Sequence, residues 1–226
     1  MKSFGGERAR RAFLGPFGVL GDRRIAVVGD DGHALTARRA SALLGFRARC
    51  SDGEAGEGVH VETPEGWELT WDDPALAAEV SRALGRPVRL ARSGVGVPDA
   101  APVHLEIAAS LAAVSRWLGG EEVDGRRFRA NVIVETEDGA PFGEAAWPGL
   151  RMRLGEGGPV VQVVSPTERC AVTTFDPDTL ERDNRVLAAL ARERENLFGV
   201  YARVLRPGWV RVGAPVMPAP EAARLT

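Results

Sequence analysis

Apolar and polar residues alternate along Val59-His60-Val61-Glu62-Thr63 and again along Trp67-Glu68-Leu69-Thr70-Trp71. A period of two marks strands with one buried face, and the intervening Pro64-Glu65-Gly66 predicts that they pair as a hairpin. Ile25-Ala26-Val27-Val28 is apolar throughout and reads as a short buried strand, with a turn at Asp30-Asp31-Gly32-His33 that closes a hairpin. Residues 51–58, rich in glycine and acid, read as an exposed loop. From Asp73 the period lengthens: Leu76, Val80 and Leu84 share one face of a helix, with Asp73 as its N-cap and Pro74 at its first position. Residues 87–91 read as a strand and 93–102 as a Gly/Pro loop. A second amphipathic helix is expected from Glu106 to Leu118, carrying Ile107, Leu111, Val114 and Leu118 on one stripe and stopped by Gly119-Gly120.

The second half is richer in strands. Residues 131–135, 150–154, 160–164 and 171–175 each fit a short strand, and one helix is expected from about Arg185 to Arg194. Val200–Val204 and Trp209–Val212 are expected to close the chain as a hairpin around Pro207-Gly208. Many short strands between Gly/Pro turns predict a mainly β fold with some helix, of the α+β class. Its core would be a barrel or closed sheet rather than a doubly wound one.

Composition narrows the function. A chain of 226 residues makes one large domain or two small ones in close contact. Lys plus Arg number 29 against 31 Asp plus Glu, a net charge of -2, which gives no bulk electrostatic case for nucleic acid or an anionic membrane. No apolar run reaches the length of a transmembrane helix, and the first residues lack the apolar core of a signal peptide, so the expected compartment is the cytoplasm. Lys2 is the single lysine, which makes a pyridoxal-phosphate enzyme with its buried Schiff-base lysine improbable.

Most catalytic signatures are missing. No phosphate-binding glycine loop lies between a strand and a helix, no Gly-x-Ser-x-Gly elbow occurs, and His33, His60 and His104 are scattered. Two cysteines, Cys50 and Cys170, are too few for a disulfide framework or a four-thiolate metal site. Cys170 falls at a loop-to-strand junction beside Arg169, and its residues alone allow two readings. It is a buried structural thiol, or it is the thiolate that ligates a soft metal or attacks sulfur.

The segment from Pro166 to Pro177 resembles the signature cysteine region of MOSC domains, named after the C-terminal domain of molybdenum-cofactor sulfurases. Lys2-Ser3-Phe4-Gly5-Gly6-Glu7 is similar to the element that opens the family's N-terminal β-barrel region. Gly21-Asp22-Arg23-Arg24, Leu35-Thr36-Ala37-Arg38, Pro102-Val103-His104-Leu105 with Ser110-Leu111, and Arg127-Phe128-Arg129-Ala130-Asn131 follow in family order. Pro141-Phe142-Gly143-Glu144, Asn196-Leu197-Phe198-Gly199 and Arg206-Pro207-Gly208 complete the series.

The resemblance implies a MOSC-type closed β-barrel with flanking helices over residues 96–226, preceded by a MOSC-associated β-barrel-like region over residues 1–95. It is nearest the architecture of enzymes that reduce amidoximes and other N-hydroxylated compounds. There a molybdenum–molybdopterin cofactor is held with one protein cysteine, which by motif position is Cys170. Lys2, Ser3, Arg23, Arg38, Arg129 and Arg169 would hold the cofactor's phosphate and pterin edge, with Thr36, Ser110 and Asn131 giving neutral hydrogen bonds. The resemblance implies a small-molecule substrate and a separate electron donor of ferredoxin or cytochrome/flavin reductase type.

Cys170 also allows a sulfur-carrier or cofactor-carrier protein, working through a persulfide or thiolate with a sulfur-donor or acceptor protein. A divergent domain that has lost the metal is the third reading. Two departures from the family stand out. Met1 directly precedes Lys2 where relatives have a strand, which would loosen Lys2 and Ser3. Glu168 replaces a small or polar residue two positions before Cys170 and would oppose thiolate formation or alter which substrate enters.

Overall fold

The computed structural model describes residues 1–50, 58–94, 96 and 98–220. Residues 51–57 of the expected acidic loop lie outside them. The first half contributes β1 (Arg11–Gly15), β2 (Gly18–Val19), β3 (Ile25–Val28), β4 (Arg47–Cys50), β5 (Val59–Glu62), β6 (Glu68–Thr70), α1 (Pro74–Leu84) and β7 (Arg89–Arg92). The second half contributes β8 (Val103–Ile107), α2 (Ala108–Trp117), β9 (Val132–Val134), β10 (Arg151–Leu154), β11 (Val160–Glu168), α3 (Asn184–Arg194), β12 (Leu197–Arg206), β13 (Gly208–Arg211) and β14 (Val216–Pro218).

Among the described residues strands dominate and three α-helices flank them, the α+β class that the turn-punctuated sequence predicts. The largest sheet has six strands in the order β14-β10-β11-β12-β8-β9, curled into a half-barrel, with β8–β9 as its parallel pair. A three-stranded sheet β4-β5-β6 contains the predicted hairpin, with Val61 opposite Leu69. The alternation works as expected: Val59 and Val61 are buried while His60 and Glu62 are not. Helix α1 starts where Asp73 Oδ1 accepts from Ala75 N at 2.8 Å and stops at Gly85 in the left-handed region, burying Leu76 and Val80. The turn at 30–33 also forms: Gly29 N donates to His33 O at 3.1 Å and Val28 bridges Ala34.

Three expectations fail, each for a physical reason. The helix expected from Glu106 begins at Ala108, because Val103–Ile107 is a strand buried at all five positions between β12 and β9. A strand with no wet face has no period of two to read. The strand expected at 171–175 is a 3-10 turn over Ala171–Thr174. The hydroxyls of Thr173 and Thr174 donate back to Cys170 O and Ala171 O, at 2.9 and 2.7 Å. The closing hairpin does not pair, because β11 and β8 occupy both edges of β12, so β13 crosses to β1 instead. Its partner β1 is a strand that the sequence pattern did not predict.

The segment before β1 is not loose. Lys2 N donates to Ile25 O at 2.8 Å, Ala48 N donates to Gly5 O at 2.9 Å, and Lys2 and Phe4 are buried. One core gathers Phe4, Val27, Leu43, Phe46, Val61, Leu76 and Val80. A second gathers Leu105, Leu154, Val161 and Val200 around the large sheet, and a third packs α2 and α3 through Val114, Phe128, Leu190 and Phe198.

The contact of β12 with β8 depends on Gly199, which has φ +74° and where a Cβ would lie 2.5 Å from His104 Nε2 and 2.7 Å from Leu105 O. Both the conformation and the space exclude a side chain. Gly199→Ala is expected to lower the urea midpoint by an amount worth roughly 2–4 kcal/mol with an unchanged m-value, measured by equilibrium denaturation.

Candidate functional site

Strand β11 leaves the large sheet at Glu168, its last residue in register with β12, opposite Leu197. Register shifts between Val163 and Ser165 and again between Pro166 and Glu168 bend this end of the strand, as bulges do beside sites. The chain then delivers Thr167, Glu168, Arg169 and Cys170 to one open cleft enclosing about 700 Å³, solvent included. The opposite wall comes from the first half: Lys2, Ser3, Arg23, Thr36 and Arg38. Asp99, His104, Phe128, Arg129 and Tyr201 also line it.

Local chemistry fixes each cation. Ser3 takes φ +69° and its Oγ accepts from Ala37 N at 3.0 Å, which ties the N-terminal segment to the turn carrying Thr36 and Arg38. Lys2 Nζ donates to Asp99 Oδ1 at 3.1 Å. Burial pushes the Asp99 carboxyl up, but the Lys2 charge and hydrogen bond, with Arg23 and Arg38, outweigh it and hold Asp99 below the usual carboxylate range. Arg129 closes the 3-10 turn Gly125–Phe128 in the left-handed region and donates from Nη2 to Phe4 O at 2.8 Å. Burial of that guanidinium brings its pKa down to about 10. Arg38 faces Cys170: the charge of the cysteine and a hydrogen bond to it are the largest influences raising the Arg38 guanidinium above its ordinary value.

Arg169 points inward. Its Nη2 donates to Phe128 O at 2.5 Å, its Nη1 meets His104 Nε2 at 3.2 Å, and its guanidinium stacks 5.3 Å from the Phe128 ring centre. Burial lowers its pKa, with Glu106 pulling the other way. Arginine can only donate, so His104 Nε2 is the acceptor and the imidazole proton sits on Nδ1, 3.6 Å from Glu106 Oε1. Burial, reinforced by Arg169, drops His104 to about 3, and burial lifts Glu106 to about 8 against the opposing charge of Arg169.

Of the residues singled out from the sequence, Lys2, Ser3, Arg23, Thr36, Arg38, Arg129, Arg169 and Cys170 meet in this cleft. Ser110 and Asn131 do not line it. Ser110 Oγ donates to Glu144 Oε2 at 2.9 Å and accepts from Phe142 N at 2.8 Å. Asn131 Oδ1 accepts from His104 N at 3.0 Å and its Nδ2 donates to Asp22 Oδ2 at 3.2 Å. Both brace the scaffold behind the wall. Cys50 lies elsewhere, against the first core, where burial pushes its thiol up. Asp99 and Tyr201 were missed, since nothing in their sequence neighbourhoods marks them, and Thr167 was passed over although it stands in the Pro166–Pro177 segment. His104 was dismissed as isolated although it stands in the Pro-Val-His-Leu segment.

Five cationic side chains against the carboxylates of Asp99 and Glu168 make the cleft a home for an anion. Two buried polar atoms in its lining, Thr167 Oγ1 and Arg169 Nε, have no protein partner. Among the described residues, no cluster of three His, Cys, Asp or Glu could hold a metal ion unaided. A metal here would therefore arrive carried by an anionic, hydrogen-bonding cofactor and take a protein thiolate, and the cleft's donor set fits such a group.

The scaffold and cleft define a β-rich protein whose single cleft cysteine is set among arginines. The chain belongs to the MOSC domain family: the MOSC domain matches residues 92–217 and the MOSC N-terminal beta barrel domain matches residues 1–117. It is 33% identical over 135 residues to mitochondrial amidoxime reducing component 2 of Rattus norvegicus, covering 54% of this chain and 38% of that protein. It is 30% identical over 253 residues to mitochondrial amidoxime reducing component 2 of Macaca fascicularis, covering 88% of this chain and 73% of that one. The YUAD protein of Bacillus subtilis aligns with a TM-score of 0.45 and 12% identity over 91% of this chain and 82% of that structure. No helix among the described residues is long and apolar enough to cross a membrane.

The two buried groups give opposite pH slopes. Glu106 holds its proton more tightly in the folded chain, so its contribution to stability is full below about pH 4.5 and is lost as pH rises through about 8. His104 resists protonation in the folded chain, so its contribution is full above about pH 6.5 and is lost as pH falls toward about 3. Glu106→Gln is expected to flatten the decline in unfolding free energy between about pH 6.5 and 8, a slope of at most about 1.4 kcal/mol per unit. His104→Gln is expected to make the acid decline shallower. Urea titrations across pH measure both.

Proposed function

We propose that the chain is a molybdenum-cofactor oxidoreductase that reduces N-hydroxylated or N-oxide small molecules. The observation that carries this reading is the placement of Cys170 in the same cleft as Lys2, Arg23 and Arg38. The relatives named amidoxime reducing components support the substrate class. When bound, the molybdenum–molybdopterin group supplies the two-electron couple for oxygen removal.

The chain's own residues hold and orient. Cys170 would be the protein ligand to the metal, with Arg38, which faces it, beside the thiolate. Lys2, Ser3 and Arg23 would hold the phosphate from the first half, where forked and point-charge donors suit its oxygens. Arg129, Thr36 and Thr167 Oγ1 would offer hydrogen bonds to the cofactor's polar edges. The net reaction takes two electrons and two protons with the N–OH compound and yields N–H and water. The electrons come from a separate donor protein of ferredoxin or cytochrome/flavin reductase type.

We also propose a division into units 1–95 and 96–226. The first core draws on residues from Phe4 to Val80, and the other two draw mainly on residues from Val103 onward, with Leu14 of β1 crossing over.

Elemental analysis of protein purified without oxygen from a cofactor-competent host tests the reading. Near-stoichiometric molybdenum is expected in the wild-type chain, lost in Cys170→Ala, with turnover of an amidoxime in the first and none in the second. Metal-free wild-type protein carrying an added sulfur on Cys170, seen by mass spectrometry, would sink it in favour of sulfur transfer.

A further inference from the structure

Behind the cysteine, three titratable side chains run inward from the cleft. Arg169 Nη1 donates to His104 Nε2 at 3.2 Å, and His104 Nδ1 faces Glu106 Oε1 at 3.6 Å. Glu106 is 1% exposed, and its Oε1 has no hydrogen-bond partner. A carboxyl this deep and incompletely satisfied costs stability, and the proposed reaction does not use it.

The groups around it come from several elements. His104 shares strand β8, and Arg169 reaches in from the end of β11. Glu144 faces Glu106 from the 3-10 turn Gly143–Ala146, itself bonded to Ser110 of α2 and under the charge of Arg194 of α3. Tyr201 of β12 acts on Arg169. Arg169 is thus the cation that Glu106 can neutralise.

We propose that Glu106, acting through His104, is the counter-charge of Arg169 and sets how strongly the cleft holds an anion. With its proton on, Glu106 leaves the wall behind Cys170 positive. Once the proton leaves, the Arg169–Glu106 pair is neutral overall and the hold weakens. Burial that keeps Glu106 protonated up to about 8 puts this change in an accessible pH range. Linkage makes the effect reciprocal, since an anion in the cleft tightens Glu106's grip on its proton. Glu106 touches no ligand, so it is a positioning residue. The inference rests on the cleft being the seat of an anionic cofactor, yet its test needs no metal.

Sulfate, doubly charged throughout the range, is titrated calorimetrically into the metal-free chain between about pH 6 and 9.5 at constant ionic strength. Wild-type affinity is expected to fall roughly three- to tenfold as Glu106 ionises. Glu106→Gln is expected to keep the low-pH affinity throughout, while Glu144→Gln retains the fall. An equal fall in Glu106→Gln overturns the proposal. So does the absence of any sulfate binding by the wild-type chain, a result that leaves the molybdenum reading to its own elemental test. Should Glu106→Gln not fold, the wild-type chain decides alone. The infrared carbonyl band of a protonated carboxyl must grow when sulfate is added near pH 8, and an unchanged or shrinking band overturns the proposal.

Discussion

A guanidinium turned away from water must find its hydrogen-bond acceptors inside the protein, and the two terminal nitrogens of Arg169 find theirs on two separate elements, with Nε left without a protein partner. Phe128 O closes one side and His104 Nε2 the other. An uncompensated charge at that depth would cost several kcal/mol, so the surroundings of Arg169 are constrained more tightly than those of any surface arginine. The 3-10 turn Gly125–Phe128 has to present a carbonyl, strand β8 has to present an unprotonated imidazole, and β12 has to pass close enough to hold both. Gly199 is what allows that last approach. With Arg169 committed inward, the next residue, Cys170, is left facing the cleft, where Arg38 meets it.

The cleft does not belong to either half of the chain. Lys2, Ser3, Arg23, Thr36 and Arg38 are presented by segments stitched to the first core, while Cys170, Arg129 and Tyr201 come from the second half. The seam is bonded directly: Arg129 donates to Phe4 O, Lys2 reaches Asp99, and Asn131 reaches Asp22. Gly18 approaches Pro102 so closely that a Cβ would lie 2.3 Å from its carbonyl oxygen. Like charges gathered this way repel, and Asp22 and Asp99 offset part of that repulsion from within the seam. The remaining positive potential is what a bound anion would satisfy.

Elements whose signal is local were legible in the sequence. The Asp73-Pro74 cap and the three-residue stripe gave α1 to the residue, and strict alternation gave the β5–β6 hairpin. Elements defined by distant partners were not. Strand β1 shows no clean alternation and exists because β13 pairs with it from the far end of the chain. Strand β8 is buried at every position, so its last apolar residue, Ile107, ran together with those of α2 into a single apparent helix. The cleft followed the same rule. Its cationic members were found through motif resemblance, whereas Asp99 and Tyr201 acquire meaning only from what folding places beside them.

Ser110 and Asn131 show where a motif match stops carrying atomic detail. Both stand in segments that resemble the family, and both have side chains whose hydrogen bonds are taken up by the scaffold. Asn131 Oδ1 accepts from the backbone of His104, so it fixes the strand position of the imidazole on which Arg169 depends. Ser110 Oγ holds Glu144, whose charge acts on Glu106. Each residue therefore acts on the cleft through the buried polar chain behind it. A motif can be retained for the geometry of that chain as well as for contact with a ligand, because displacing any one member leaves a buried donor, acceptor or charge without its partner.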